Sequence, residues 1–581
     1  MIQTILGLII LLAPFLLIFC FSDRKRGFLM IFTSFVVFHL GLALFTQYLH
    51  IFSYSVVLTT CGLVDLICLF FLLKKYKKFN FKVSWFLLVA IMIVGFELWS
   101  VHYSYTGLVA TANGNRAVTN SSYSYPIFSD EWVGSALVDY SITNKTLPAV
   151  NPLSGNSQFP NLLVPVFSFL AEIFLILNLN PLLDYSIMAI ASGLLICLLA
   201  YFSLVSFGVS EAGALLAVLA MPLITNGANL PGIWFLMPYL IAMIIYLACL
   251  SATTISNKII FYALGILAVI FYPPLVVFVA PTVLVYLYKN YSHKHFLYSA
   301  LTAIGVVLII ILGLLIIDKN LLVKVWMDVL SKITRDNLVG GIPNFNLFYV
   351  IPFYILIFSA LGLWQAFRNK NYYILKALAV GAVFWTAYMF TNKVLIIDGP
   401  RVVVITSILL VMCASYGFDY LIGLTKLKAD SAEVSGIKIL MVVFFLIMLA
   451  FYPGTAYQKL VLRVNNSGKI TRVNPAPPIN RYLNEGDLKA FSGITKQTFV
   501  APPWKGLVVG VATHNYPLDS KPSIITNTWL SYSQFINLPC GQRLVTARNY
   551  HLNYVYSEKF TCPGFEYVTE GGEGMGLYKV K

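Results

Sequence analysis

Residues 84–103 of the chain read SWFLLVAIMIVGFELWSVHY. One charged side chain, Glu97, interrupts an otherwise apolar and aromatic run. A helix of about 20 apolar residues, rising 1.5 Å per residue, spans the roughly 30 Å of hydrocarbon in a bilayer. This stretch therefore predicts a membrane-spanning helix, and it leads directly into a long polar loop, 104–160.

Comparable apolar runs recur along the whole chain, and together they predict about fourteen spans. Hydrophobic residues make up 59% of the 581 residues, charged residues 11%, and mean hydropathy is +0.81. Those values exclude a soluble globular enzyme, a disordered chain and a coiled coil. Long unbroken runs without ten-residue alternation favour helices over a β-barrel, so the predicted fold class is an all-α polytopic membrane protein. The predicted spans are 3–21, 28–47, 53–73, 84–103, 161–178, 185–207, 211–227, 231–250, 259–288, 297–317, 346–366, 374–391, 402–423 and 438–454. The stretch 259–288 is counted once, although Pro273 and Pro274 can break it into two half-helices.

Basic residues predict the orientation of these spans. Loops of multi-pass proteins that carry excess Lys and Arg face the cytoplasm, which places both termini and the loops 104–160 and 318–345 outside the plasma (inner) membrane. The net charge of +16 suits anionic lipid head groups in the bilayer, and no nucleic-acid partner is expected. The predicted inside residues are Arg24, Lys25, Arg26, Lys74, Lys75, Lys77, Lys78, Lys82, Lys289, Lys294, Arg368, Lys370, Lys376, Lys426, Lys428 and Lys438.

Three regions follow from the pattern: an additional three-helix bundle in 1–83, a membrane core in 84–455, and a small extracytoplasmic domain, α/β or β-rich, in 456–581. Short apolar runs separated by Pro and Gly predict strands in the last region, at Leu507–Ala512, Ser523–Thr526, Leu544–Ala547 and Gly576–Val580. Cys540 and Cys562 lie in this region, where an oxidising exterior allows a disulfide. Two buried free thiols are the alternative.

Asp130 and Glu131 stand together near the middle of loop 104–160, within YPIFSDEW. One interpretation is structural: Val133–Tyr140 forms a short interfacial helix, Ser129 is its N-cap, and Asp130 complements the helix dipole. The other is catalytic, because a carboxylate at a membrane face can take a proton from an acceptor hydroxyl or hold a divalent cation such as Mg²⁺ or Mn²⁺. Any metal is therefore expected at Asp130.

A second group of candidates lies in the short loop KVLIIDGPR, residues 393–401. Arg401 is placed to bind a phosphate bidentately, and Lys393 is a weaker second choice. The structural alternative is an interfacial anchor that pairs with Asp398. In loop 318–345, helical spacing predicts a surface-lying amphipathic helix that carries Arg335, with Gly340 and Gly341 as a hinge for closure over a donor.

Charged groups inside the apolar runs are few. Glu97 and His102 lie near the end of the span that enters loop 104–160, so they are expected to support the site. Asp65 and Glu172 are also intramembrane acids, a costly placement that indicates function by default. No nucleotide-binding or serine-hydrolase motif occurs.

The long outward loop with Asp130 and Glu131, followed by Leu147-Pro148 and Asn151-Pro152, resembles the GT-C superfamily of membrane glycosyltransferases. Protein O-mannosyltransferases and aminoarabinose transferases belong to it. The resemblance implies catalysis by Asp130 and Glu131, donor-phosphate binding by Arg401 with Lys393, and transfer of a hexose or pentose in cell-envelope polysaccharide or glycoprotein synthesis. Three additional N-terminal helices and Trp132 depart from the usual pattern.

The expected donor is a sugar on a polyprenyl phosphate, because the lipid tail lies in the bilayer and the phosphate at its surface. The acceptor class stays open among lipid, glycan and protein. Two other functions remain: a transporter or flippase of a lipid-linked saccharide, and a surface-polysaccharide polymerase or ligase outside GT-C.

Overall fold

A computed structural model describes residues 3–11, 24–74, 84–111, 114–126, 128–154, 163–224, 232–254, 258–290, 350–369, 371–391, 396–424, 432–451, 461–464, 470–473, 483–520 and 530–581. Within these ranges the chain is mostly helical, with a small C-terminal sheet, as the sequence predicts. Loop 318–345, with its predicted amphipathic helix and hinge, lies outside the described residues.

The helices before the C-terminal region are apolar along most of their length. Four are long and apolar enough to cross a membrane by length and composition: Phe28–Tyr48, Tyr185–Ser206, Tyr372–Phe390 and Gly399–Leu424. The described helices in this part of the chain are α1 (Arg24–Tyr48), α2 (Tyr54–Lys74), α3 (Trp85–Tyr103), α4 (Ser129–Asn144), α5 (Val164–Ile176), α6 (Tyr185–Ser206), α7 (Glu211–Ala220), α8 (Pro238–Ala252), α9 (Lys258–Phe271), α10 (Val276–Asn290), α11 (Phe353–Arg368), α12 (Tyr372–Thr391), α13 (Gly399–Leu424) and α14 (Ala432–Phe451).

Contacts between helix termini define two ends of the bundle. At one end, which we call the far end, Glu211 at the start of α7 accepts hydrogen bonds from Ser84 and, at 2.5 Å, from Lys438 of α14. Asp419 near the C-terminus of α13 accepts the Ser210 N–H at 3.2 Å. The opposite end, which carries α4, is called the α4 end. There, Glu131 accepts the N–H of Leu236, just before α8, at 3.0 Å.

Helix α5 does not carry the chain from one end to the other, so the predicted span 161–178 is wrong. Thirteen residues extend only about 20 Å. Tyr185, the first residue of α6, approaches Gly134 of α4, as does Phe167 of α5. The starts of both α5 and α6 therefore lie near α4.

The stretch 259–288, counted as one span, is two antiparallel helices, the division that Pro273 and Pro274 allowed. Pro273 and Pro274 follow Tyr272, where helix α9 can no longer continue. Phe261 of α9 stacks on Tyr286 of α10 with ring centroids 4.1 Å apart, which fixes the hairpin. One span fewer before this point and one more within it leave the later helices in their predicted directions. Lys289 thus still lies at the same end as the start of α12, between the rings of Tyr372 and Tyr373.

A β-hairpin follows α3 directly, which the sequence analysis did not predict. Strands β1 (Ser104–Thr111) and β2 (Gly114–Ser122) pair antiparallel, with an irregularity between Tyr105 and Gly107. It places the first half of loop 104–160 beside the end of α3. A second two-stranded sheet pairs β3 (Val461–Val464) with β4 (Ile470–Val473).

The C-terminal region forms an α/β unit around a five-stranded sheet. The strand order is β6–β5–β7–β9–β8, with parallel pairs β6/β5 and β5/β7 and antiparallel pairs β7/β9 and β9/β8. Its elements are α15 (Glu485–Ala490), β5 (Thr498–Val500), α16 (Pro503–Thr513), β6 (Tyr516–Pro517), α17 (Tyr532–Ile536), α18 (Cys540–Asn549), β7 (Tyr554–Glu558), β8 (Phe565–Glu570) and β9 (Met575–Val580).

Two predicted strands of this region are helices. Leu507–Ala512 lies in α16, which Pro503 starts, and Leu544–Ala547 lies in α18. Gly576–Val580 is a strand, as predicted, within β9, and Ser523–Thr526 lies outside the described residues. Cys540 and Cys562 form a disulfide, with Cα atoms 5.5 Å apart.

The C-terminal unit docks on α4. His514, at the end of α16, lies 3.6 Å from Asp139 of α4, and Tyr123 accepts the backbone N–H of Leu483 at 3.3 Å. Burial raises the pKa of the Asp139 carboxyl above its usual range, and His514 opposes that shift. Loop 104–160 and the tail therefore lie on the same side of the bundle, as the sequence predicts.

Candidate active site

Helix α4 begins at the two acidic residues that the sequence singled out. Phe128, not Ser129, is the N-cap, with extended backbone (φ −92°, ψ 139°). Glu131 Oε2 accepts the Phe128 N–H at 3.4 Å, and the Ser129 hydroxyl lies 3.4 Å from Asp130 Oδ1. The first turn of a helix stabilises carboxylates through its exposed N–H groups, so the structural role expected for this pair is present.

Glu131 and His102 both hold the segment that precedes α8. Glu131 is fully buried and its Oε1 accepts the Leu236 N–H at 3.0 Å. His102 is equally buried, and its Nε2 lies 2.7 Å from the Trp234 carbonyl oxygen, to which it donates. Phe235, which lies between Trp234 and Leu236 in the chain, packs edge-on against the His102 ring. These contacts tie Glu131 and His102 to the backbone that leads into α8.

Asp130 and Arg401 lie within electrostatic range of each other at the α4 end. Arg401, in the first turn of α13, interacts electrostatically with Asp130, Tyr239 and Tyr272. Its guanidinium carbon lies 5.7 Å from the centroid of the Tyr272 ring. The fold thus joins two predicted site residues that are 271 positions apart in the chain.

Arg401 also forms the ion pair with Asp398 that the structural alternative expects. The side chains of Arg401 and Asp398 are 29% and 39% exposed. Partly exposed ion pairs contribute little stability and exchange partners readily. A guanidinium in this position can therefore turn from Asp398 to a phosphate at the membrane surface.

Close packing at the start of α13 fixes where Arg401 stands. A Cβ on Gly399 would lie 2.4 Å from the Tyr388 ring of α12, so a larger residue would push the two helices apart. The Asp398 carbonyl accepts the N–H groups of Arg401 and Val402 at 3.0 and 3.1 Å, which completes the first turn.

Three tyrosines that sequence reasoning missed surround these charges. Tyr185 interacts electrostatically with Glu131 and Asp130, and Tyr239 with Arg401, Tyr272 and Asp130. The Tyr239 hydroxyl is buried and forms no hydrogen bond with any described residue. A buried hydroxyl without a partner is costly, so this group is available to a ligand.

The described residues give little support to a metal at Asp130. Asp130 belongs to no group of three His, Cys, Asp or Glu ligands in the described ranges, whereas His39, Cys61 and Glu172 do. Arg401 already places positive charge beside Asp130, which disfavours a second cation.

One of the remaining predicted residues, Glu97, lies in the described part of the chain. Its side chain is buried in α3. Lys393 and Arg335 lie outside the described residues.

No family model and no curated protein matches the sequence. Among solved structures, the chain is similar to the archaeal oligosaccharyltransferase AglB of Archaeoglobus fulgidus. In complex with an inhibitory peptide and a dolichol-phosphate, AglB shows 12% identity and a TM-score of 0.46 over 82% of this chain and 70% of its own. Its apo form shows 14% identity and a TM-score of 0.46 over the same shares, and its complex with Zn and sulfate 15% and 0.42 over 81% and 68%. TM-scores below 0.5 do not establish a shared fold.

Proposed function

We propose that this chain is a membrane glycosyltransferase of the GT-C type, which moves a sugar from a polyprenyl phosphate to a lipid, glycan or protein acceptor. The observation that carries the proposal is that the Asp130 carboxylate, the Arg401 guanidinium and the Tyr239 hydroxyl interact electrostatically at one end of the bundle, where that hydroxyl has no hydrogen-bond partner among the described residues. The plasma membrane holds the chain, and this end faces outward.

Asp130 is the general base in this mechanism. It takes the proton of the acceptor hydroxyl as the acceptor oxygen bonds to the anomeric carbon of the sugar. The bond between that carbon and the phosphate oxygen breaks, and polyprenyl phosphate leaves with the electron pair. Well-placed general bases accelerate such steps about 100- to 10,000-fold.

Arg401 stabilises the leaving phosphate. A guanidinium can donate two parallel hydrogen bonds to phosphate, which a lysine cannot match. The Tyr239 hydroxyl, beside Arg401, supplies a further donor to the phosphate or the sugar. Lys393 is the second basic group of this phosphate site, and Arg335 and loop 318–345 close over the donor.

Glu131, His102 and Glu97 support the site. Glu131 and His102 hold the backbone before α8, which places Tyr239 next to Arg401. A divalent cation, Mg²⁺ or Mn²⁺, is an alternative use of Asp130, in which the carboxylate binds metal instead of accepting the proton.

The rival functions differ in what happens to the lipid-linked donor and in where the active residues should lie. A flippase of lipid-linked saccharide moves the donor across the bilayer intact. It needs polar groups along a path through the membrane, whereas Asp130, Arg401 and Tyr239 gather at one end. A polymerase or ligase of surface polysaccharide places its chemistry in a large late loop, and loop 318–345 is the place for it.

The test measures bond cleavage directly. Membranes containing the full chain are supplied with polyprenyl-phosphate sugar labelled in the sugar and with extracted envelope acceptors. The proposal expects release of polyprenyl phosphate and transfer of label to the acceptor. Membranes that lack the chain, and membranes that are given only a nucleotide sugar, should show neither. Movement of intact donor across the bilayer without release of polyprenyl phosphate would establish the flippase instead.

A further inference from the structure

A second cluster of chemically active side chains lies away from Asp130. His39 of α1, Cys61 of α2 and Glu172 of α5 each offer one ligand atom, and these atoms all lie within 4.8 Å of one another. The three residues are 1% exposed or less. His39 Nδ1 and Glu172 Oε1 are 2.6 Å apart. Because the ligands come from three different helices, no spacing in the sequence reveals them.

We propose that His39, Cys61 and Glu172 bind one zinc ion. Imidazole nitrogen, thiolate sulfur and carboxylate oxygen are the three ligand types of zinc in proteins, and a thiolate favours zinc over Mg²⁺, Mn²⁺ or Ca²⁺. Three protein ligands leave one coordination position for water. The site is independent of the proposed sugar transfer.

Charge balance supports a divalent ion here. Negative charge buried in an apolar interior is costly unless a cation balances it. On binding, Cys61 loses its proton to solvent and the resulting thiolate and the Glu172 carboxylate carry two negative charges, which Zn²⁺ neutralises, while His39 binds as neutral imidazole. The complex is then neutral within the bundle.

The geometry requires only small movements. Tetrahedral zinc with bonds of about 2.0 to 2.3 Å separates its ligand atoms by about 3.3 to 3.8 Å. The 2.6 Å contact between His39 and Glu172 opens by about 1 Å to meet that range. Because the ligand atoms all lie within 4.8 Å of one another, the other separations close by about 1.5 Å at most.

The surroundings suit a metal that joins helices. Phe35 and Phe38 lie with ring centroids 4.6 and 5.0 Å from that of His39, and Phe169 packs on Phe35. Asp65, one turn after Cys61 on α2, interacts with Cys61 and leaves Oδ1 without a hydrogen-bond partner among the described residues. The Asp65 carboxylate can therefore bind an incoming cation before it reaches Cys61. Zinc would then fasten the α1–α2 hairpin to α5.

Zinc content tests the proposal. Full-length protein purified in detergent is equilibrated with buffered zinc, and bound metal is measured by elemental mass spectrometry. We expect one zinc per chain in the wild type and almost none in Cys61→Ser or Glu172→Gln. Cys197→Ser, which removes another buried free thiol, on α6, keeps its zinc. Equal zinc in Cys61→Ser and wild type overturns the proposal.

Cobalt binding to the unmodified chain removes any dependence on variant folding. Co²⁺ bound through a thiolate gives a sulfur-to-cobalt charge-transfer band, which zinc should then abolish by competition. We expect that band in the wild type and in Cys197→Ser. A wild-type protein that binds neither zinc nor cobalt contradicts the proposal, whatever the variants do.

Discussion

At the scale of single residues, the structure separates two carboxylates that the sequence treats as a pair. Glu131 is buried and accepts the backbone N–H groups of Phe128 and Leu236, whereas Asp130 interacts electrostatically with Arg401. The sequence shows that both acids lie at the start of a helix. It does not show which of the two is buried in hydrogen bonds to the backbone. Tyr239 was missed because a tyrosine near a helix end usually anchors the membrane interface, and only the folded chain brings it within electrostatic range of Arg401.

Arg401→Lys keeps the charge and removes the planar fork. We expect the donor concentration for half-maximal transfer to rise about tenfold, equivalent to about 1.4 kcal/mol, with little change in maximal rate or thermal stability. Transfer kinetics over a donor series measure this. Arg368→Lys, the same change over the Trp364 ring of α11, is the matched control. Equal donor dependence in the two variants would leave Arg401 as an anchor only.

Tyr239→Phe removes the unpaired hydroxyl and nothing else. Because that group lacks a partner among the described residues, its loss should leave the melting temperature unchanged or slightly raised. If the hydroxyl binds donor, the half-saturating donor concentration should rise several-fold. A drop in melting temperature with unchanged donor dependence is the opposite pattern and would assign the hydroxyl to the fold.

At the scale of elements, apolar periodicity predicted helices far better than it predicted strands. Leu507–Ala512 is short and apolar, which fits a strand or a buried helix equally well, and Pro503 at its start decides for helix α16. Pro273 and Pro274 were visible in the sequence as a break, yet their effect on chain direction depends on how α10 packs against α9. The hairpin strands, SYTGLVAT and GNRAVTNSS, lack sustained alternation of apolar and polar residues, so the pattern did not predict them.

Removal of the Cys540–Cys562 disulfide should loosen the C-terminal unit. A closed loop of 22 residues contributes about 3 kcal/mol through the entropy of the unfolded chain. We expect the double variant Cys540→Ser/Cys562→Ser to lose about that much stability, measured by denaturant unfolding of the detergent-solubilised protein. Cys413→Ser in α13, which touches no disulfide, is the control. Recovery of both cysteines as free thiols from the wild type would remove the premise.

At the scale of the whole molecule, basic residues that were predicted to share one side do share an end of the bundle, although two of the predicted spans are wrong. The predicted crossing at 161–178 does not occur, and the predicted single crossing at 259–288 is a pair. These two errors cancel, so Arg24–Arg26 and Lys289 share an end of the bundle in either arrangement. The loops between these two stretches, from the end of α5 to the start of α9, lie on the opposite side from the one predicted.

Cysteine labelling separates the two arrangements. In the structure, the exposed Leu183 lies beside the start of α6 at the α4 end, and the exposed Thr254 lies between α8 and α9 at the far end. With the α4 end outward, an impermeant thiol reagent should label Leu183→Cys in intact cells and not Thr254→Cys. The fourteen-span arrangement gives the reverse result. Labelling of Thr254→Cys alone would therefore overturn the chain path described for α6 to α9.

The central claim is that Asp130 performs the chemistry, and one substitution tests it most directly. Asp130→Asn keeps the size of the side chain and deletes its charge. Transfer of labelled sugar from polyprenyl phosphate is measured at equal protein levels, beside Asp184→Asn, which changes a carboxylate just before α6. We expect transfer by Asp130→Asn to fall about 100- to 10,000-fold at an unchanged melting temperature, and transfer by Asp184→Asn to stay near wild type. Near-normal transfer by Asp130→Asn, or a loss explained by about 1 kcal/mol of helix stability, would contradict the claim.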